Sequence, residues 1–206
     1  MEKIKLAVLF YSSTGANYQM VQWAADAAKE AGAEVRLLKI PELAPLSAIE
    51  ANPAWKKFYE QSKDLPIAGM QDLEWADAYI FSTPTWYGNI ASQMQQFIDT
   101  TGPLWAQGKL SNKIVSAMAT AMNAHGGQES TILSLYHIMC HWGAIIVPPG
   151  YTNPVLYAAG GNPYGTSAGV DKDGKLLNDI KGAVEAQAIR TIAVAQWIKN
   201  GKTVYK

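Results

Sequence analysis

FYSSTGAN, residues 10–17, runs an apolar stretch, IKLAVLF (4–10), into an Ala-rich amphipathic segment over 17–31 through a turn of hydroxyls and one glycine. A strand that ends in such a turn and restarts as a helix aims its free backbone N–H groups at the space ahead of the helix, where the dipole is positive. Ser12, Ser13 and Thr14 add hydroxyl donors, Gly15 lets the backbone come close, and the amides from Gly15 to Asn17, Ala16 included, face the same point. The turn predicts a site for one phosphate. It lacks the G-K-[ST] of a triphosphate loop, the G-x-G-x-x-G of a dinucleotide loop and the cysteine of a small phosphatase. A mononucleotide is the ligand that remains.

Outward from this turn, apolar β-rich runs alternate with helical ones. EVRLLKI (34–40), AYIFST (78–83), KIVSAMA (113–119) and AIIVP (144–148) read as strands, and 90–100, 128–142 and 179–199 as helices. In the last of these Ile180, Val184, Ala188, Ile192 and Ile198 share a face. Strands this apolar are covered on both sides, which predicts an α/β fold with a parallel sheet between helical layers. Two segments break the alternation. Residues 41–72 form an excursion with a short helix near Trp55–Gln61, and 148–176, rich in Gly, Pro, Asn and Tyr, form a long loop.

The 206 residues, 49% hydrophobic and 17% charged, read as a single domain over 1–206. Zero net charge supplies no basic field for nucleic acid, and no apolar run approaches a membrane span. Cys140 is the lone cysteine, so no internal disulfide forms. With a start that lacks a signal peptide's apolar core, this predicts a cytoplasmic protein. Cys140 itself reads as a small buried apolar group.

In a parallel sheet the ligand lies beyond the carboxyl ends of the strands, where strand order reverses. Two further loops belong there. PTWYGN (84–89) offers the Thr85 hydroxyl and the flat rings of Trp86 and Tyr87 before Gly88 and Asn89. TAMNAHGGQE (120–129) offers backbone donors around Asn123 and the Gly126–Gly127 pair. One loop suits a phosphate, one presents aromatic faces, and one suits a polar ring edge. Together they predict a site for a planar aromatic cofactor with a single phosphate.

PTWYGN, SQMQQFIDTTGPLWAQGKLSNK (92–113), GGQESTI (126–132), HWGAIIVPPGY (141–151) and GGNPYG (160–165) occur in an order and spacing that resemble the WrbA-like NAD(P)H:quinone oxidoreductases, flavodoxin-fold FMN proteins. The resemblance covers nearly the whole chain. It implies a flavodoxin-like doubly wound five-stranded sheet of order 2-1-3-4-5, FMN as cofactor, NADH or NADPH as donor, a quinone as acceptor, and a homotetramer. It implies that Ser12 to Asn17 hold the FMN phosphate and that Thr85 to Asn89 flank the isoalloxazine. Ala121, Met122, Asn123, Ala124, His125 and Gly126 would line the ring edge, His141 would reach the cofactor, and Trp105 would cover the quinone, from a neighbouring subunit if not from its own. The chain departs from the family pattern at Trp86, where members commonly carry a basic residue, and at Ala121–Ala124, commonly Ser-Thr-Gly-Thr.

Competing readings stand beside these. His137, Cys140 and His141 have helical spacing open to a metal, but no glutamate of the H-E-x-x-H kind accompanies them, so no metal is expected. His141 is either a flavin contact or a core imidazole, and Trp105 either a quinone cover or an interface anchor. An electron carrier of the flavodoxin type is the alternative function. Such carriers dock through a charged face, which zero net charge disfavours.

Overall fold

The computed structural model describes residues 2–201. β1 (Lys5–Phe10) leads through the turn into α1 (Ala16–Glu30) and β2 (Glu34–Lys39). The excursion holds three short helices, α2 (Leu46–Glu50), α3 (Pro53–Gln61) and α4 (Met70–Trp75). β3 (Ala78–Trp86) turns back as β4 (Asn89–Ile90), and α5 (Ser92–Asp99) and α6 (Gly102–Ala106) lead to β5 (Ile114–Ala121). α7 (Gln128–Trp142), β6 (Ile145–Ile146), α8 (Val155–Ala158), β7 (Ser167–Gly169) and α9 (Lys181–Gly201) follow.

The sheet runs β2-β1-β3-β5-β6, all parallel, with the short β4 antiparallel on β3. Alternate residues of β1 face opposite layers, as the pleat requires. Ala7 and Leu9 pack with Met94 and Phe97 of α5 and with Leu135 and Met139 of α7. Leu6, Val8 and Phe10 pack with Met20 and Ala24 of α1 and with Val184 and Ala188 of α9. The expected doubly wound sheet is present, with its order reversing between β1 and β3.

The fifth position differs from expectation. It is filled by two pieces: β6 pairs with Ile114 and Val115 at the start of β5, and β7 pairs with Ala119, Thr120 and Ala121 at its end. The chain leaves the sheet after Val147 and returns to finish the same strand. Ser-Ala-Gly has little strand propensity, so β7 exists only because an open edge awaits it.

Where the strand is interrupted, side chains replace its hydrogen bonds. Ala117 N–H donates to the Tyr136 hydroxyl at 3.2 Å, and Ala117 C=O accepts from Gln187 Nε2 at 2.8 Å. Tyr136 also donates to Tyr164 C=O at 2.7 Å, and Gln187 Oε1 accepts from Thr166 N–H at 2.7 Å. One group from each helical layer thus satisfies the buried backbone and pins the returning chain.

At the amino end of the central strand β3, Asp77 accepts from Lys5 N–H and from Lys199 Nζ, each at 3.0 Å. Burial alone would raise its pKa, but the Lys5 N–H and the Lys199 ammonium outweigh it and hold the carboxyl below its ordinary value. A depressed carboxylate contributes stability above its unfolded pKa and loses it as pH falls through the folded one. Asp77→Asn is therefore expected to cost about 1 kcal/mol at neutral pH. In urea melts run at several pH values, that difference should shrink below about pH 4.

Candidate active site

Gly15 takes a left-handed φ of +98° where the first turn enters α1. Its N–H donates to Ser12 Oγ at 2.9 Å, so this amide braces the turn and is not free, contrary to the sequence reading. The first helical bond runs from Gln19 N–H to Gly15 C=O. The amides of Ala16, Asn17 and Tyr18 are left as the helix's orphan donors, pointing where an anion is favoured. Asn17 joins this donor set through its backbone alone. Its side chain is buried, donates to Ser82 Oγ at 3.0 Å and accepts from Thr120 Oγ1 at 2.8 Å. It stitches the ends of β3 and β5 to α1 and leaves only its backbone N–H for a ligand.

The second loop is a two-residue hairpin between β3 and β4. Tyr87 and Gly88 both have positive φ, +51° and +77°, as a type I′ turn requires. Asparagine usually occupies the first of these positions. Tyrosine there costs about 1 kcal/mol of left-handed strain, and its ring is left fully exposed. The Thr85 hydroxyl accepts from Thr131 Oγ1 at 3.0 Å, which ties this loop to α7.

The third loop meets the second glycine to glycine. Gly127 has φ +93°, and a β-carbon on it would lie 2.7 Å from the Cα of Gly88. Gly126 is equally confined, with Ala121 Cβ at 2.6 Å from where its own β-carbon would sit.

These loops enclose a cleft of about 570 Å³ at the carboxyl end of the sheet. Ser12, Ser13, Thr14, Ala16 and Asn17 form one wall, Thr85, Trp86, Tyr87 and Gly88 a second, and Ala121, Met122, Asn123, His125 and Gly126 a third. Gly15 and Ala124 face neighbouring hollows instead. Asn89 turns its Oδ1 onto Ile90 N–H.

Sequence reasoning missed Asn52, Thr120, Val170, Asp171 and Lys172, which also line the cleft. The last three follow β7, so they form a fourth loop at the same sheet edge. D-K-D-G at 171–174 is a turn signal, but nothing marks the strand before it. Asn52 is brought in by Glu42. That carboxylate accepts from Tyr11 OH, Trp55 Nε1, Gln93 Nε2 and the amides of Leu43 and Ala44 at 2.7–3.1 Å, clamping α3 against the first turn. Burial and then the Glu42 charge push the Tyr11 hydroxyl far above its ordinary pKa, so it stays a neutral donor.

Trp105 and His141 lie elsewhere. Trp105 Nε1 donates to His141 C=O at 2.8 Å, and both side chains are exposed. His141 closes the far end of α7, roughly 20 Å along the helix axis from Gln128. Within one chain neither residue reaches the cleft, and His125 is the imidazole that lines it. His137 and Cys140 are also exposed on α7, so Cys140 is not the buried apolar group expected.

The donor set fits a flavin mononucleotide: neutral hydroxyls and orphan amides for one phosphate, flat rings for a planar tricycle, and loop backbone for its edge. The model of the NADPH-dependent FMN reductase family matches residues 4–154. A Deinococcus radiodurans protein named NAD(P)H dehydrogenase (quinone) is 53% identical over 176 residues, covering 85% of this chain and 88% of that one. A Brucella abortus protein of the same name is 42% identical over 177 residues, covering 83% and 85%. Among solved structures, a WrbA-like flavodoxin protein from Agrobacterium tumefaciens superposes with a TM-score of 0.65 at 20% identity, over 97% of this chain and 100% of that one. A flavodoxin from the domain Archaea gives 0.60 at 14% identity, over 94% and 99%. At those identities the two structures speak for the fold alone.

Proposed function

The chain belongs to the NADPH-dependent FMN reductase family, and from that premise we infer that it is an FMN-dependent NAD(P)H:quinone oxidoreductase. The observation that carries this is the convergence of the phosphate turn, the aromatic hairpin and the donor loop on one cleft. Bound FMN would supply the redox chemistry, hydride uptake from the nicotinamide and two-electron delivery to the quinone. The protein's part is to bind and orient. The α1 amides and the hydroxyls of Ser12, Ser13 and Thr14 hold the phosphate, and Trp86 and Tyr87 wall the ring. Nicotinamide and quinone would stack on the same flavin face, so they would take turns there, and we expect ping-pong kinetics.

The homotetramer belongs to this proposal as well. Trp105 and His141 share one exposed patch remote from their own cleft, and a second copy could bring that patch over it. In that arrangement Trp105 covers the quinone and His141 contacts the flavin across subunits. The single thiol, exposed on α7, suits a reducing cytoplasm. Among the described residues no helix is long and apolar enough to cross a membrane.

The test is direct. Purified protein should be yellow, bleach anaerobically on addition of NADPH or NADH, and consume the nicotinamide when benzoquinone is supplied with no partner protein. A flavin that binds but is not reduced by either nicotinamide would favour the electron carrier. Tyr87 offers a finer check. Tyr87→Asn relieves the left-handed strain and should raise stability by about 0.5–1 kcal/mol. It should also weaken FMN binding roughly three- to tenfold through loss of the aromatic wall. Urea melts and a flavin titration read these opposite effects separately.

A further inference from the structure

The turn Asp171–Lys175, between β7 and α9, is seated on the phosphate loop. Gly174 has φ +83°, and a β-carbon there would lie 2.4 Å from Thr14 Oγ1 and 2.6 Å from the Thr14 carbonyl oxygen. The turn is internally braced: Asp171 N–H donates to Lys175 C=O at 3.0 Å and Gly174 N–H to Asp171 C=O at 3.1 Å. Asp171 Oδ1 accepts from the amides of Asp173 and Lys175, each at 2.9 Å. One carboxylate oxygen of Asp171 is thus bound to its own backbone, while the residue itself lines the cleft beside Lys172.

This seating carries Lys172 into the cleft, where it is the sole lysine or arginine among the described lining residues. Lys175 borders a separate hollow on the outer side of Thr14 and Gly15. The Lys172 ammonium rests 3.1 Å from Asp173, but both side chains are well exposed, and such pairs are weak and readily exchanged. The donors of the phosphate loop are all neutral, while the group they are built to hold is an anion of nearly two charges. A flexible stem of about 6 Å, two residues from the glycine that touches Thr14, brings an ammonium within reach of it.

We propose that Lys172 is the counter-ion of the FMN phosphate, exchanging Asp173 for that phosphate and closing over the loop from the β7 side. The assignment rests on the reading that the cleft takes FMN. It follows from the split fifth strand, because without β7 the turn would not meet Thr14.

The experiment compares FMN with riboflavin, which lacks the phosphate, by fluorescence quenching on the flavin-stripped full chain at low and physiological salt. Lys172→Gln should raise the Kd for FMN about ten- to thirtyfold, leave that for riboflavin unchanged, and flatten the salt dependence. Lys175→Gln, which removes the same formal charge from outside the cleft, should change FMN binding less than about threefold. Gly174→Ala, which pushes the turn off Thr14, should match or exceed Lys172→Gln. An unchanged ratio of FMN to riboflavin affinity in Lys172→Gln would overturn the assignment. So would equal losses in the two lysine variants, or an effect confined to the KM for NADPH. If the wild-type chain binds neither flavin, the FMN reading itself falls and takes the Lys172 assignment with it, an outcome distinct from flavin binding that is indifferent to Lys172.

Discussion

Gly127→Ala is expected to weaken FMN binding about a hundredfold or more while the protein remains folded. Two costs combine at this position. Alanine at φ +93° is strained, and its methyl would stand 2.7 Å from the Cα of Gly88, where backbone and not a flexible side chain must yield. The hairpin carrying Trp86 and Tyr87 is thus pushed away from the loop carrying Asn123 and His125, and two of the cleft's walls lose register. Gly32→Ala separates the causes. Gly32 has φ +89°, and nothing lies within 4 Å of the point its β-carbon would occupy, so it shares the strain without the collision. That variant should lose about 1–2 kcal/mol of stability and keep its FMN affinity. Comparable affinity losses in both would show that backbone strain, and not contact between the loops, governs the site.

Gly165→Ala should be the most damaging single change to stability, costing at least about 3 kcal/mol, or roughly 6–12 °C in Tm. Its β-carbon would lie 2.0 Å from the Ala117 carbonyl oxygen and 3.1 Å from Ile132 Cδ1. That carbonyl is the one that Gln187 satisfies inside the gap of the fifth strand. Lifting the chain to admit a methyl also strains the Tyr136–Tyr164 and Gln187–Thr166 bonds beside it, leaving buried polar groups unpaired. Differential scanning calorimetry measures the loss, and a Tm within about 2 °C of wild type would refute the account. FMN binding should fall with it, since the same segment leads into β7 and the Asp171–Lys175 turn.

Much of the molecule is legible in its residues because the relevant physics is local. Strand-turn-helix at 4–31 follows from apolar periodicity, a glycine and a row of hydroxyls, each acting on near neighbours. The aromatic loop and the glycine pair announce themselves in the same way, and the rule that ligands gather beyond the carboxyl ends of parallel strands assembles them into one cleft. What that local reading mistook was the direction of particular groups. Gly15 was expected to keep its amide free for a phosphate, yet that N–H is taken by Ser12 Oγ, and the Asn17 side chain is drawn inward by the hydroxyls of Ser82 and Thr120, 65 and 103 residues away in the chain.

Taken alone, then, the sequence determined the layered parallel sheet and three of the loops that form the cleft, since helical and strand periods and turn chemistry are properties of short windows, while the strand order came from the family resemblance. Tertiary structure alone decided that the fifth strand is made in two pieces, that the second piece delivers Lys172 beside the first loop, and that Trp105 and His141 stand at the far end of α7. The physical reason is common to all of these. Ser-Ala-Gly becomes a strand only against the open edge of β5, and a helix of fixed rise separates its two ends whatever residues it carries, so neither outcome is encoded in neighbouring residues.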